Sequence, residues 1–209
     1  MKDNHLAQLL SSALIRLDID TKFTHNLLAF VYLLEKWNKT YNITAIRDLE
    51  KMVVLHVIDS LSVYQYLSGK SIVDVGTGGG VPGIIFAIIN PELKVTLLDS
   101  NQKKTRFLRF AKRQLNIDNI TIVCDRVEKY QPKTLFDVVI SRAFTEVGNY
   151  LHLAGHLCKH KGFVFAMKGP RIESEENVAE IGFKMSQDLD IQVPFLDAKR
   201  RLLIFKKYE

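Results

Sequence analysis

The residues best placed to do chemistry are the five glycines of Gly76-Thr77-Gly78-Gly79-Gly80-Val81-Pro82-Gly83 and the acid that follows them. The run is preceded by Ile72-Val73-Asp74-Val75 and followed by the apolar stretch Ile84 to Ile89, so a strand turns sharply into a helix here. Glycine reaches positive φ and leaves no Cβ in a ligand's way, while Pro82 suits a first helical turn, where its missing N–H would have no partner anyway. A second apolar run, Val95-Thr96-Leu97-Leu98, ends in Asp99. An acid at the end of the second strand of such a unit accepts hydrogen bonds from ribose hydroxyls. Loop and acid together point to a cofactor with a nucleoside half. The rival reading, glycines for packing only and an acid that caps the next helix, must account for both features at once.

Other side chains carry weaker signals. Arg142 follows the run Val138 to Ser141, at the strand end where open α/β sheets bind ligands. There it orients cofactor or substrate, or it pairs with Asp137 or Glu146. Lys168 holds the equivalent place after Phe163 to Met167 and is a candidate phosphate contact. His56, Asp59 and Ser60 share a helical face, and either line a substrate cleft or lock a helical part onto the sheet. His152, His156 and His160 recur at helical spacing, but no carboxylate or cysteine set completes a site and no metal is expected. On the helix after Asp99, Arg106, Arg109, Lys112 and Arg113 gather opposite Phe107, Leu108, Ala111 and Leu115. Such a face tracks phosphates or is merely solvated; Lys199, Arg200, Arg201, Lys206 and Lys207 would extend it.

The elements that must position these residues are readable from periodicity. Up to about Ser68 apolar residues recur at helical spacing, as in Phe23, Leu27, Leu28, Phe30, Val31 and Leu34, and predict two or three helices. From Ser71 short apolar runs alternate with helical stretches: Ile72 to Val75, Val95 to Leu98, Ile120 to Val123, Val138 to Ser141 and Phe163 to Met167. This predicts a Rossmann-like, largely parallel sheet covered on both faces, spanning residues 69–209, with a helical extension over residues 1–68 packed on it. Ile191 to Phe195 and Leu202 to Phe205 are expected to form an antiparallel hairpin at the sheet's end. With 29 Lys and Arg against 23 Asp and Glu, the chain carries +6, which suits a polyanionic partner. The start Met1-Lys2-Asp3-Asn4-His5 has no apolar signal core, so a soluble cytoplasmic protein without membrane contact is expected. Cys124 and Cys158 form no CxxC pair and are expected to be buried thiols.

Gly78, Gly80 and Gly83 also satisfy the GxGxxG of nicotinamide-dependent dehydrogenases, so an NAD(P)-dependent oxidoreductase is one alternative. Asp74, two residues before Gly76, instead makes the stretch similar to the first motif of class I S-adenosylmethionine-dependent methyltransferases. Beyond it the chain resembles the GidB/RsmG family, bacterial 16S ribosomal RNA guanine-N7 methyltransferases. The resemblance rests on seven blocks in order: Trp37 to Ile46, His56 to Leu61, the Gly76 to Gly83 loop, Leu97 to Ser100, Arg126-Val127-Glu128, Ser141-Arg142-Ala143-Phe144 and Met167-Lys168-Gly169. It implies methyl transfer to N7 of a guanosine, the family's guanine 527, in the decoding-region hairpin of small-subunit rRNA. It also implies cofactor contacts at Gly76, Val81, Val127, Glu128 and Arg142, which Gly78 and Asp99 join from the reading of the loop. Family members often carry Pro or Ala and a larger apolar residue where this chain has Gly78-Gly79-Gly80-Val81, which affects the fine shape of the pocket. The chain lacks the Asn- or Asp-Pro-Pro-aromatic motif of exocyclic-amine methyltransferases, and neither cysteine sits where a base-carbon methyltransferase needs its nucleophile. S-adenosylmethionine, 16S rRNA or a small-subunit assembly particle, and a monomeric state are the expectations. A non-catalytic RNA-binding protein on a nucleotide-binding fold is the remaining alternative.

Overall fold

The computed structural model describes residues 2–142, 146–169 and 181–208. Two long helices, α1 (Lys2–Arg16) and α2 (Thr24–Tyr41), precede a third that changes its winding. That third helix begins as α3 (Leu49–Met52), capped by the Asp48 side chain on Lys51 N–H, continues as a π-helical segment over Val53–Ile58 and ends as α4 (Asp59–Leu61). Among the described residues no strand precedes Ser71.

Seven strands then build one sheet: β1 (Ser71–Val75), β2 (Lys94–Leu98), β3 (Ile120–Val123), β4 (Phe136–Ser141), β5 (Cys158–Lys168), β6 (Phe183–Ile191) and β7 (Arg200–Lys207), in the order β3-β2-β1-β4-β5-β7-β6. The first five are parallel, and β7 and β6 close the edge antiparallel. The connecting helices are α5 (Gly83–Ile89), α6 (Gln102–Gln114) and α7 (Val147–Ala154). Alternate residues of each strand serve opposite cores. Ile72, Ile140, Phe165 and Ile204 pack with the N-terminal helices, α5 and α6. Val73, Val139, Val164 and Phe205 pack with Tyr150, Leu151 and Ala154 of α7. The strands are therefore apolar on both faces, as helix-covered parallel strands must be. The helices before Ser71 share one apolar core with that first sheet face. Order and parallel direction make this a Rossmann-like fold, with its topological switch between β1 and β4.

Three expectations are corrected. The strand expected over Ile191 to Phe195 lies instead at Phe183–Ile191 and ends where it was expected to begin. It is an edge strand with a mostly exposed middle, so it lacks the apolar run that marks a buried strand. The apolar Val193 belongs to a turn, in which Leu196 N–H reaches the Val193 carbonyl and Pro194 has no N–H to give a ladder. The histidine stripe does not form, because α7 stops at Ala154 and His160 lies in β5; the His156 ring meets the Tyr130 carbonyl instead. Of the two cysteines only Cys158 is buried, its thiol pushed up to about 12 by desolvation, whereas Cys124 is exposed just past β3.

Candidate cofactor and substrate site

Asp74 organises the glycine loop from below. Its side chain is fully buried in β1, and one carboxylate oxygen accepts the Thr77 hydroxyl at 2.6 Å and the Gly83 N–H at 2.8 Å. The second bond satisfies a donor that the start of α5 would otherwise leave orphaned. Desolvation pushes the Asp74 carboxyl up to about 6, against the lowering effect of those two hydrogen bonds. Gly76, Gly78 and Gly80 all have positive φ (68°, 58° and 92°). Gly83 is required by space: a Cβ there would stand 2.4 Å from Leu97 Cδ2 and 3.0 Å from Asp74 Cβ, so helix and strand could not close up. From the other side the N-terminal helices hold the loop, since a Cβ on Gly79 would meet Leu34 and Ile43 at 3.2 Å. Ile43 is itself held in place because Asn38 donates to the Ile46 carbonyl and accepts from Thr44 N–H, and the Thr44 hydroxyl meets the His56 ring at 2.9 Å. Burial and the nearby Arg142 charge pull His56 down to about 4, so the ring is neutral at pH 7.

Asp99, at the end of β2 and largely buried, accepts Gly78 N–H on one oxygen and Asn101 N–H on the other, both at 2.8 Å. Asn101 in turn caps α6 by accepting from Lys103 and Lys104 N–H. The acid thus joins the glycine loop to the first turn of α6. A carboxylate has four lone-pair sites, so two remain for a ligand.

Over the carboxyl ends of β1, β2 and β3 lies a cavity of about 360 Å³ lined by Gly76, Asp99, Val127 and Glu128, together with Ser100, Lys104, Arg126 and Leu153. This volume is within the ordinary range of small-molecule sites. S-adenosylmethionine, which the resemblance implies, fits the lining: a carboxylate with free lone pairs for a ribose, a glycine turn that puts no side chain in the way and whose N–H groups are held by Leu98, Asp99 and Thr77, and a mixed polar and apolar wall. Lys104 joins this lining from the first turn of the helix after Asp99, a place that is its one mark in the sequence. Gly78 borders the same space, because a Cβ on it would point into the open toward Lys104 Nζ at 3.9 Å. Val81 sits apart, in the apolar core beneath the loop. Gly78→Val is expected to weaken S-adenosylmethionine binding at least 10-fold by calorimetry, since valine both resists φ near +58° and fills that space. Wild-type affinity in this variant would mean that the loop does not cradle the ligand.

Arg142, just beyond β4, lines a second cavity of about 270 Å³ on the same sheet edge, shared with Asp59, Lys168, Gly169, Arg200 and Arg201. Neither Asp137 nor Glu146 is its partner. Asp137 sits at the opposite end of β4, where Lys159 Nζ and the backbone of Lys70 and Ser71 engage it. Arg142 instead pairs with Asp59 at 3.4 Å and donates to the Leu55 carbonyl at 3.1 Å. Asp59 accepts Arg200 Nε as well, at 3.0 Å. Of the two roles open to the His56, Asp59 and Ser60 face, these contacts supply the lock between helices and sheet. The Ala143 and Phe144 of the Ser141 to Phe144 block lie outside the described residues.

On α6, Arg106, Arg109 and Arg113 are exposed, while Lys112 is half-buried with its ammonium donating to the Ile120 carbonyl at 2.7 Å. A larger concavity of about 740 Å³ opens at the opposite, amino-terminal edge of the sheet. The Asn119 amide there is spent on the carbonyls of Ala87, Asn90 and Leu93, which makes it a brace between chain segments. Among the described residues no group of three or more His, Cys, Asp or Glu is placed to hold a metal ion, and no helix is long and apolar enough to cross a membrane.

Comparison with known proteins agrees with this geometry. A methyltransferase from Aquifex aeolicus described as SAM-dependent superposes with a TM-score of 0.60 at 12% identity, covering 83% of this chain and 98% of that one. The glycopeptide N-methyltransferase MtfA, solved with S-adenosylmethionine, gives a TM-score of 0.60 at 9% identity, covering 74% of this chain and 94% of that one. These likenesses establish the fold. Ribosomal RNA small subunit methyltransferase G of Hydrogenovibrio crunogenus is 49% identical over 181 residues, 87% of this chain and 84% of the relative. The protein of the same name from Shewanella woodyi is 42% identical over 206 residues, 98% of this chain and 97% of the relative. The family model GidB, rRNA small subunit methyltransferase G, matches residues 24–204, and the chain belongs to that family.

Proposed function

We propose that this chain transfers the methyl group of S-adenosylmethionine to N7 of a guanine in 16S rRNA, the family's guanine 527, and that it acts as a monomer in the cytoplasm. The observation that carries the reading is the convergence of Gly76, Asp99, Val127 and Glu128 on one cavity beside the positive-φ loop. The cofactor supplies an activated methyl on a sulfonium. Guanine N7 presents a free lone pair on its major-groove edge, so no residue has to remove a proton. What is left for the chain is to hold the two reactants in line, which is where most of the acceleration would arise. Asp99 and the loop would fix the nucleoside half, and the second cavity, with Arg142 on its wall at the same edge of the sheet, is the place proposed for the base.

The test is incubation of the chain with labelled S-adenosylmethionine and naked 16S rRNA, partly assembled subunits or mature subunits, followed by cleavage at 7-methylguanosine. Label at another position, or none in any particle, refutes the assignment. A salt titration examines the RNA face. If the exposed Arg109 and Arg113 contact phosphates, converting both to alanine should make the log–log salt slope of rRNA binding shallower by about 1.5, at unchanged S-adenosylmethionine affinity. An unchanged slope and affinity would show that the face is only solvated.

A further inference from the structure

We propose that Asp59 is a positioning residue for methyl transfer, setting the Arg142 and Arg200 guanidinium groups on the wall of the second cavity; this rests on the function proposed above.

Three observations support it. Each oxygen of Asp59 serves a different arginine: Oδ2 lies 3.4 Å from Arg142 Nη1, and Oδ1 accepts from Arg200 Nε at 3.0 Å. Arg142 follows directly on β4 and Arg200 opens β7, strands that lie on either side of β5 in the sheet. Because β7 runs antiparallel to β5, its first residues lie at the edge where β4 ends. An acid delivered by the helical part is thus the link between two sheet positions that the sheet itself does not join.

The burial is asymmetric. The Asp59 side chain is 5% exposed, whereas those of Arg142 and Arg200 keep 27% and 24%. Here the carboxylate sits behind and both arginine side chains keep part of their surface at a cavity of about 270 Å³, although Arg142 Nη1, which faces Asp59, is itself buried without a hydrogen-bond partner. One carboxylate between two guanidinium groups also leaves a net positive wall, which suits an RNA strand.

The third observation is the π-helical segment Val53–Ile58, which ends directly at Asp59 and in which Asp59 N–H bonds back to the Val54 carbonyl. Two groups of this helix meet the same guanidinium, the Leu55 carbonyl at 3.1 Å and the Asp59 carboxylate. Widened turns inside helices are frequent at functional sites. Arg142 is also close enough for its charge to act on Asp74 under the glycine loop and on His56. A displacement of this guanidinium would therefore be felt on the cofactor side as well.

Full-length wild type, D59N, R142K and the double variant are compared for methyl transfer to 16S rRNA, with kcat and KM for RNA and for S-adenosylmethionine, and for Tm. D59N keeps the shape but removes the charge that orients both arginines. Its kcat is expected to fall at least 10-fold. The double variant should lose less than the product of the two single losses, because part of the acid's effect runs through Arg142 and the rest through Arg200. Released from their shared carboxylate, the guanidinium groups should bind RNA no more weakly than in wild type, and the stoichiometry of S-adenosylmethionine binding separates a slower enzyme from a smaller folded fraction, which would also lower the apparent kcat at unchanged KM. D59E covers the case in which D59N does not fold: it retains the charge one methylene further out, and a kcat at least 5-fold down with a nearly unchanged Tm supports positioning. D59N or D59E at wild-type kcat, or losses that multiply in the double variant, overturn it. A wild-type chain that methylates no form of 16S rRNA overturns the function proposal and this role together, whereas an active wild type with an indifferent D59N overturns this role alone.

Discussion

Asp74→Asn is expected to make the protein's stability less dependent on pH, with the balance between variant and wild type moving by about 2–3 kcal/mol in the variant's favour between pH 4 and pH 7. Burial raises the Asp74 carboxyl from 3.8 to about 6. Between those values the folded state holds a proton that the unfolded state has released, so wild-type stability falls as pH rises through this window and levels off above it. At 1.36 kcal/mol per unit, the full shift corresponds to about 3 kcal/mol. Asparagine cannot ionise, so its curve lacks this slope. Its amide oxygen can still accept from Thr77 and Gly83, and its NH₂ would take the place of Oδ1, which has no hydrogen-bond partner. Alanine at this position should instead destabilise throughout, since two buried donors are stranded at about 1–3 kcal/mol each. Urea unfolding of the three proteins at pH 4, 5, 6 and 7 checks both statements. Parallel curves for wild type and Asp74→Asn would place the Asp74 carboxyl back in the ordinary carboxylate range.

The second large effect concerns cofactor affinity. Asp99→Ala should weaken S-adenosylmethionine binding by about 10- to 150-fold, the equivalent of about 1.5–3 kcal/mol for hydrogen bonds to a charged acceptor. The structure adds a reason for the upper half of that range. Asp99 also holds Gly78 N–H and Asn101 N–H, so its removal loosens the loop and the first turn of α6 together. Folding should survive, because both freed donors are only partly buried and water can reach them. Asp99→Asn keeps one acceptor oxygen and should fall between alanine and wild type. Calorimetric titration with Tm as a control decides the matter: tight binding by a folded Asp99→Ala protein rules out a ribose contact.

Features that depend on neighbours along the chain were legible in the sequence. The glycine loop, the acid closing β2, the five parallel strands and the basic face of α6 each declare themselves within one strand–helix unit, because backbone freedom, apolar period and capping act over a few residues. That locality has limits even here, since Lys112 shares the helical face of Arg106, Arg109 and Arg113 yet spends its ammonium on the Ile120 carbonyl. β6 escaped notice because an edge strand needs partners on one side only and can be polar in the middle. The partner of Arg142 could not be read locally at all. Asp137 and Glu146 are near it in sequence, but a strand advances about 3.3 Å per residue, which carries Asp137 to the far end of β4. The charge that meets Arg142 comes from Asp59, which also takes Arg200 from 141 residues away. Only the folding of the helical part onto the sheet, together with the antiparallel return of β7 beside β5, places those three groups at one edge; periodicity anticipates both elements, but not which side chains their packing brings together.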